Sequence, residues 1–317
     1  MQFQPFSKIT YKLIREGPVR TIALQTGEVD VVKDLAQEDE DLFLNPDGAS
    51  KPGWNATQVY DARLQVLAFN GAPGTVFGDN QALRQAVLYA IKNEDLMLAF
   101  GRDHSTGRIV NDLATNVSSD YNDSWDSPDY DYYTQDLDKA KAKLAEAGYK
   151  PGELSVGILV RNLAGYDTMA TALQAQLGAI GIKVTVEVLE QAVVNEIVLG
   201  PDGWDMTIEN VYTNDFVVNG YQYLFDSRSY KHGSRYHTID DKLQELVEVA
   251  IHVDTFGPKS RDALHDYVKE KAYIYGLFTY SRLHVAQDGI LGIVSSSDAN
   301  PAPNAFVVSP SFRTRVK

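Results

Sequence analysis

The segment between residues 154 and 189 constrains the fold most strongly, because it predicts a strand, a helix and a second strand in close succession. Leu154–Val160 is a short apolar segment typical of a strand. In Asp167–Ile180, apolar side chains recur at the spacing of one helix face, and Gly181 follows as a helix end. Lys183–Leu189 alternates between polar and apolar residues, as a half-buried strand does. The order predicts a compact β-α-β unit.

The rest of the chain continues this alternation of strands and helices. Further strands are predicted at Glu28–Val32, Gln65–Phe69, Trp204–Ile208 and Phe278–Ala286. Further helices are predicted at Val19–Gln25, Asp79–Phe100, Asp136–Ala147, Thr238–Ile251 and Ser260–Tyr275. We expect Asp79 to cap its helix, and Thr238 to form a capping box with Asp241. Residues 101–135 are expected to wrap over the surface, and the tail from Ser295 to be irregular. The predicted fold class is α/β, or mixed α+β.

Composition excludes several classes of protein. The chain has 317 residues, 44% of them hydrophobic, which is typical of a globular protein rather than a disordered one. It carries 29 Lys and Arg against 43 Asp and Glu, and the resulting net charge of −14 argues against nucleic acid or an anionic membrane surface as a partner. The absence of cysteine excludes disulfides, thiolate metal sites, iron–sulfur clusters and cysteine nucleophiles.

The sequence also lacks signals for membrane insertion and export. No apolar run approaches the roughly 18 residues that a membrane-spanning helix needs. The first residues have neither the basic nor the apolar region of a signal peptide. We therefore expect either a protein that is not exported or a processed or truncated form.

Motifs of the common catalytic classes are absent from the sequence. It contains neither of the glycine-rich phosphate loops, no G-x-S-x-G and no H-E-x-x-H. His232 and His237 are the closest histidine pair, and we interpret them as surface residues because no third metal ligand accompanies them. A carboxylate pair of the glycosidase kind is uninformative among 43 acidic residues. We expect no enzyme, no catalytic residue, no cofactor and no bound metal.

The segment Asp120–Asp131 places oxygen-bearing side chains at alternate positions. The first half of a calcium-binding loop has this pattern. Its sixth position is Trp125 rather than glycine, and its twelfth is Asp131 rather than glutamate. We therefore interpret the segment as a solvated acidic loop.

Aromatic side chains are concentrated between residues 204 and 225. They alternate with short polar side chains, among them Asn210, Asn214, Asp215 and Asn219. Rings combined with short hydrogen-bonding groups suit a pocket for a polar organic ligand. The residues alone leave a second interpretation open, an ordinary edge of the core whose tyrosine hydroxyls reach water.

Four groups of motifs occur in an order and spacing shared with a known family. They are A-L-Q-T-G-E-V-D at Ala23–Asp30, F-N at Phe69–Asn70 with D-x-x-x-L-R-Q-A-x-x-Y-A-I at Asp79–Ile91, the segments Asp138–Tyr149 and Leu173–Val184, and the return strand Phe278–Gly289. Together they resemble the family 5 extracellular solute-binding proteins of ABC importers, the group that includes dipeptide- and oligopeptide-binding proteins. The chain departs from the family where Lys92 and Asn93 replace the usual Asp-Arg.

The resemblance implies a two-lobe fold of the periplasmic-binding-protein type II kind, whose lobes close over a ligand by hinge bending. Complete members are longer and begin before the first matching segment, so the chain resembles their C-terminal portion. The implied organisation is a partial first lobe at 1–70, an intact second lobe with a β-α-β core at 71–276, and a return to the first lobe with the tail at 277–317. The crossings between lobes are expected near 69–70 and 278–279.

The resemblance also implies ligand-binding residues in the second lobe. In peptide-binding members, an acidic residue that follows a G-W-x-x-D-type segment pairs with the amino terminus of the ligand. The matching residues are Tyr212, Asn214, Asp215 and Phe216. Asn214 falls at the acidic position, so a neutral hydrogen bond to the ligand amine would replace the stronger charged bond that a carboxylate makes. In dipeptide-type members, an arginine after the strand preceding the helix receives the ligand carboxylate, and Arg161 matches it. The alternative for Arg161 is a surface residue with a solvated head.

The implied function is that of an extracytoplasmic substrate-binding subunit of an ABC importer, in the periplasm or on the cell surface as a lipoprotein. It would capture peptides and deliver them to the permease in the membrane. We expect a monomer with no nucleic-acid partner. Because a fold does not fix its ligand, another small polar solute such as a nickel chelate, an oligosaccharide or an opine stays open. A secreted carboxylate-dependent hydrolase and a truncated product that binds nothing are further alternatives.

Overall fold

The computed structural model describes most of the chain in two compact units. The described residues are 8–14, 16–35, 37–60, 63–110, 113–116, 118–127, 129–130, 133–212, 216–230, 233–291 and 307–308. One unit consists of residues 1–61 with 281–317, and the other of residues 62–280. The lobe boundaries expected from the sequence, 1–70, 71–276 and 277–317, stay predictions.

Helices and strands alternate through most of the chain. The α-helices are α1 Gly17–Gln25, α2 Gln81–Ala90, α3 Asn93–Ala99, α4 Leu137–Glu146, α5 Tyr166–Gly178, α6 Gln191–Val198, α7 Val217–Phe225, α8 Asp241–Ile251 and α9 Pro258–Lys271. The strands are β1 Val31–Val32, β2 Trp54–Tyr60, β3 Arg63–Phe69, β4 Gly107–Ile109, β5 Ser155–Arg161, β6 Lys183–Leu189, β7 Met206–Tyr212, β8 Ile274–Gln287, β9 Ile290–Leu291 and β10 Val307–Val308. Short 3-10 helices occupy Gln37–Leu42 and Asp123–Asp126.

The first unit is organised around the second half of β8. Both β1 and β2 pair with it in antiparallel fashion, and α1 packs beside them over buried side chains such as Leu24, Phe43 and Val285. The prediction of α1 is confirmed, whereas the strand predicted at 28–32 is only two residues long. The amides of Glu28 and Val29 both donate to the carbonyl of an α1 residue, and this turn uses the residues that would otherwise extend β1.

The second unit contains a mixed sheet in the order β8-β3-β7-β5-β6, with β4 beside β8. Strand β5 is parallel to both β6 and β7, while β3 is antiparallel to β7 and to the first half of β8. The predicted β5-α5-β6 unit is therefore confirmed. The carboxyl-terminal ends of the three parallel strands meet at one edge of the sheet.

Helices cover both faces of this sheet. Ile158 and Val160 of β5 belong to the core under α2, α4 and α5, whereas Leu159 belongs to the core shared with α6 to α9. Burial on both faces explains why β5 is continuously apolar rather than alternating.

The helix predicted over residues 79–100 is interrupted. Ile91 and Lys92 have extended backbone conformations, which separate α2 from α3. Gln176 of α5 holds the break, because its side chain accepts from the amide of Lys92 at 2.9 Å and donates to the Lys92 carbonyl at 3.4 Å. The predicted cap is also wrong: Asn80 accepts from the first turn of α2, while the Asp79 carboxylate accepts from the amide of Gly74.

The structure differs from two further predictions made from the sequence. The capping box of Thr238 is wrong, because α8 begins at Asp241 and Asp240 caps it by accepting from the Leu243 amide at 2.9 Å. Residues 101–135 contain β4 and a 3-10 helix in addition to irregular backbone. Within the described ranges, no helix is both long and apolar enough to cross a membrane.

Candidate functional site

The edge where β5, β6 and β7 end is the candidate functional site of the second unit. Arg161 and Leu189 are paired at the last positions of β5 and β6, and Tyr212 is the last residue of β7. In open α/β sheets, ligands bind outside the carboxyl ends of the strands. Two of the residues predicted to bind ligand, Arg161 and Tyr212, therefore lie at the edge that the topology favours.

Arg161 is buried rather than solvated. Its side chain is 8% exposed, and its Nη2 donates to Glu209 Oε1 at 2.9 Å and to Asn195 Oδ1 at 3.3 Å. The interpretation of Arg161 as a surface residue is wrong, because the parallel register of β5 and β7 places it next to Glu209. Its positive charge is already engaged by a protein carboxylate.

Glu209 organises a buried cluster at this edge. The carboxylate has no solvent exposure, and it accepts from Arg161, from Nε and Nη2 of Arg235 at 3.1 and 2.7 Å, and from the Tyr236 hydroxyl at 2.8 Å. These bonds offset the cost of burying the carboxylate. We refer to Arg161, Glu209, Arg235 and Tyr236 as the Glu209 cluster.

The Glu209 cluster carries one excess positive charge. Two guanidinium groups face a single carboxylate. The fourth member, Tyr236, stays neutral, because burial, followed by the charge of Glu209, raises its pKa well above the ordinary value. Arg161 Nε is shielded from solvent and has no hydrogen-bond partner among the residues that the structure describes. Such an arrangement can hold an anionic group, since guanidinium matches a carboxylate in both charge and geometry.

The remaining predicted residues follow β7. Phe216 is 40% exposed, precedes α7, and packs edge-on against Phe256, with ring centroids 5.8 Å apart. Tyr212 pairs with Arg63 through the β3–β7 ladder. Asn214 and Asp215 lie outside the described residues.

The aromatic segment after residue 204 divides between core and surface. Trp204, Tyr221 and Phe225 are buried in the core shared with α6 to α9, as the second interpretation proposed, but the Tyr221 hydroxyl bonds His265 rather than water. Phe216 and Tyr223 are the exposed rings of the segment among the described residues. Only Phe216 of these two precedes α7 at the candidate edge.

Glu209, Arg235, Tyr236 and Phe256 are not predicted from the sequence. A glutamate inside the apolar strand β7 is a signal that could have indicated a buried, paired carboxylate. No pattern in the sequence connects Arg235 or Phe256 to this edge.

The segments considered for metal binding have other roles. Asp120 accepts from the Val217 amide at the start of α7, and Trp125 is buried. His237 is buried and bonds the Val198 carbonyl, so the interpretation of it as a surface residue is wrong, while His232 lies outside the described residues. In the described part of the chain, no group of three side chains is arranged to hold a metal ion.

A cavity of about 330 Å³ lies toward the amino-terminal end of β7. Acidic side chains contribute to its lining, including Glu187, Asp202 and Asp205, and Asp205 accepts from the Gly157 amide at 2.7 Å. None of the described residues predicted to bind ligand lines this cavity.

A family model matches most of the chain. The family model for bacterial extracellular solute-binding proteins, family 5 Middle, matches residues 4–232. No protein with a curated description matches the chain.

Solved structures share the fold. The oligopeptide-binding protein AppA from Bacillus subtilis, in complex with a nonapeptide, has a TM-score of 0.74 at 17% identity, covering 94% of this chain and 60% of its own. The dipeptide-binding protein from Pseudoalteromonas sp. SM9913, in complex with Met-Leu, has a TM-score of 0.75 at 19% identity, with 94% and 58% covered. AgaA from Agrobacterium tumefaciens R10, in complex with agropinic acid, has a TM-score of 0.71 at 20% identity, with 93% and 59% covered.

The likeness confirms the predicted fold class, mixed α/β with the two-lobe periplasmic-binding-protein fold. The chain spans about 60% of the length of these structures. At this level of identity, the likeness concerns the fold and not the ligand.

Proposed function

Because the chain belongs to the bacterial extracellular solute-binding proteins of family 5, we propose that it acts as the extracytoplasmic substrate-binding subunit of an ABC importer. It captures a solute between hinged lobes and delivers it to the membrane permease. It catalyses no reaction of its own. The permease partner, the monomeric state, and the periplasmic or lipid-anchored location follow from the same proposal.

The solute that we propose is a peptide. The structural relatives include proteins in complex with a nonapeptide and with Met-Leu. A peptide has a terminal carboxylate, and the excess positive charge of the Glu209 cluster at the strand edge is the observation that supports it best. The complex of AgaA with agropinic acid supports a non-peptide acid as the second candidate.

Within this proposal, each predicted residue has a distinct role. Arg161 directs its Nε donor toward the ligand carboxylate while Glu209 holds the guanidinium in place. The exposed ring of Phe216 packs against an apolar part of the ligand, and Tyr212, the last residue of β7, is a further ligand-binding residue. Asn214 and Asp215 receive the ligand amine, as the resemblance to peptide-binding members implies.

The test is to identify what the protein retains. The protein is purified from its gene without denaturation, and bound compounds are then released by denaturation and identified by mass spectrometry. A ladder of peptides is the expected result. A single non-peptide acid would overturn the peptide assignment but not the binding role. No released compound, together with no binding of added peptides or acids in calorimetry, would contradict the proposed function itself.

A further inference from the structure

Two amide side chains lie side by side at the candidate edge. Gln65 of β3 and Asn210 of β7 are directly opposite each other in the antiparallel ladder, so both side chains project from the same face of the sheet. Gln65 is fully buried, and Asn210 is partly buried. The pair lies two residues from the Arg63–Tyr212 pair that ends the ladder, and it projects from the opposite face of the sheet to Glu209, because consecutive residues of a strand alternate between faces.

Both amide nitrogens lack an acceptor. Gln65 Nε2 and Asn210 Nδ2 are shielded from solvent, and neither donates a hydrogen bond to any residue in the described ranges. An unmet buried donor costs about 1–3 kcal/mol. Two such donors at neighbouring positions are satisfied together by one acceptor atom placed between them.

Tyr166 sets the orientation of the Gln65 amide. The Tyr166 hydroxyl donates to Gln65 Oε1 at 3.2 Å, which directs Nε2 away from the phenol. Burial raises the pKa of Tyr166 to about 12, so the hydroxyl keeps its proton and remains a donor at neutral pH. Gln65 therefore presents a donor, and not an acceptor, on the side of its amide that faces away from Tyr166.

We propose that Gln65 and Asn210 form a donor pair that binds an acceptor oxygen of the captured solute, a carbonyl or carboxylate oxygen. The inference rests on the proposed function, because it assigns a further part of the same solute-binding edge. Two neutral amide groups donate to an oxygen acceptor without requiring a net charge, and they disfavour an ammonium group, which only donates. The pair thus adds a neutral contact on one face of the sheet to the charged contact of the Glu209 cluster on the other face.

The donor pair gives the site a means of discrimination. A buried polar group that must be satisfied disfavours a ligand that lacks the matching group more strongly than an apolar contact does. The protein therefore selects solutes that carry an oxygen acceptor at the position reached by Gln65 and Asn210. A peptide backbone supplies such an oxygen at every residue.

The experiment compares Gln65→Glu and Asn210→Asp with the parent protein. Each substitution replaces an amide donor by an acceptor of nearly the same shape. The probes are alanine peptides of two to five residues, titrated by calorimetry, with the melting temperature measured in parallel. We expect roughly tenfold weaker binding or more in both variants, because an acceptor then faces the ligand oxygen.

Asn93→Asp is the matched control. Asn93 is another buried amide of the second unit, and it donates to the Tyr275 hydroxyl and the Gly276 carbonyl, both at 3.4 Å. Its substitution is expected to lower the melting temperature and leave the peptide affinity unchanged. If Gln65→Glu does not fold, Gln65→Leu removes the donor without adding charge and is expected to weaken binding as well.

Three outcomes would overturn the inference. Unchanged affinity in the Gln65 and Asn210 variants would mean that the two amides satisfy each other after one of them turns over. An equal loss of affinity in Asn93→Asp would mean that the effect is general. No binding of any alanine peptide by the parent protein would overturn the peptide function, and this inference with it.

Discussion

Arg161 Nη2 lies 2.9 Å from Glu209 Oε1, and this ion pair joins the end of β5 to the middle of β7 inside the second unit. Removing one member of a buried pair leaves the other as an uncompensated charge, which costs far more than the intact pair contributes. Arg235 and Tyr236 complete the bonding of the carboxylate. Arg161 therefore depends on Glu209 for its position at the candidate edge.

Glu209→Gln is expected to destabilise the protein by about 3–5 kcal/mol, because it leaves Arg161 and Arg235 buried without a countercharge. The free energy of unfolding is measured by urea denaturation. Glu94→Gln is the control, since Glu94 is a partly exposed carboxylate near Lys92 and His104, and it should cost less than about 1 kcal/mol. Equal effects of the two substitutions would contradict the role of Glu209.

Arg161→Lys is expected to weaken binding of peptides with a free carboxylate by roughly tenfold, because a lysine ammonium does not reproduce the paired donors of guanidinium. Peptides with an amidated carboxyl terminus should bind the variant and the parent protein equally. Calorimetry with the free and the amidated form of each alanine peptide gives the ratio of the two affinities. A general loss of folded protein does not change this ratio. Arg108→Lys, at a half-exposed arginine beside Asp126, is the control. A ratio that Arg161→Lys leaves unaltered would exclude carboxylate binding by Arg161.

The partnership of Arg161 with Glu209 also shows why the site was only partly predictable. The β5-α5-β6 unit follows from local periodicity, which adjacent residues encode. Glu209 is 48 residues from Arg161, and only the parallel register of β5 and β7 brings them together. The break between α2 and α3 has the same origin, because Gln176, 84 residues beyond Lys92, holds it. Local patterns predict the elements, whereas partners of this kind depend on the assembled sheet.

The capping of α2 allows a direct test of the structure against the sequence pattern. Asn80→Ala is expected to cost about 1 kcal/mol, because its Oδ1 accepts from the Leu83 amide at 3.0 Å. Asp79→Ala should cost less than about 0.5 kcal/mol, as for a surface position, since its carboxylate bonds only a loop amide among the described residues. Thermal and urea unfolding of both variants measures the difference. A larger effect of Asp79→Ala would restore the cap predicted from the sequence.

His265 is expected to make stability pH-dependent. The residue is fully buried, stacks on Trp125 at 3.8 Å between ring centroids, and bonds the Tyr221 hydroxyl. Burial, followed by the charges of Lys269 and Arg261, lowers the pKa of His265 from 6.5 to about 3. Between these values the unfolded chain binds a proton that the folded chain does not, so stability falls as pH falls through this window.

The slope from this one group is at most about 1.4 kcal/mol per pH unit. His265→Gln keeps a hydrogen-bonding group but does not titrate, so its unfolding free energy should fall less steeply than that of the parent protein between pH 6 and pH 4. Urea denaturation at several pH values gives both slopes. Because acidic residues contribute equally to both proteins, identical slopes would show that His265 is protonated in the folded state.

Gly148 and Gly181 have the same role in the sequence, as the ends of α4 and α5, but the structure distinguishes them. Both have positive φ angles, +93° and +83°. A methyl group at Gly148 would meet nothing within 4 Å, whereas one at Gly181 would lie 2.6 Å from Pro151 Cα. Gly181 also accepts from the Gly152 amide at 2.7 Å, in the turn that leads into β5.

Gly148→Ala should therefore cost only the strain of the left-handed backbone, about 1–2 kcal/mol. Gly181→Ala adds a clash with backbone atoms that are not free to move, because β5 and β6 pair from Ser155 and Lys183 onward. We expect it to cost at least about 1 kcal/mol more than Gly148→Ala in urea denaturation. Equal costs would mean that the turn at Pro151 yields, and that close contact at Gly181 does not set the start of the β5–β6 pair.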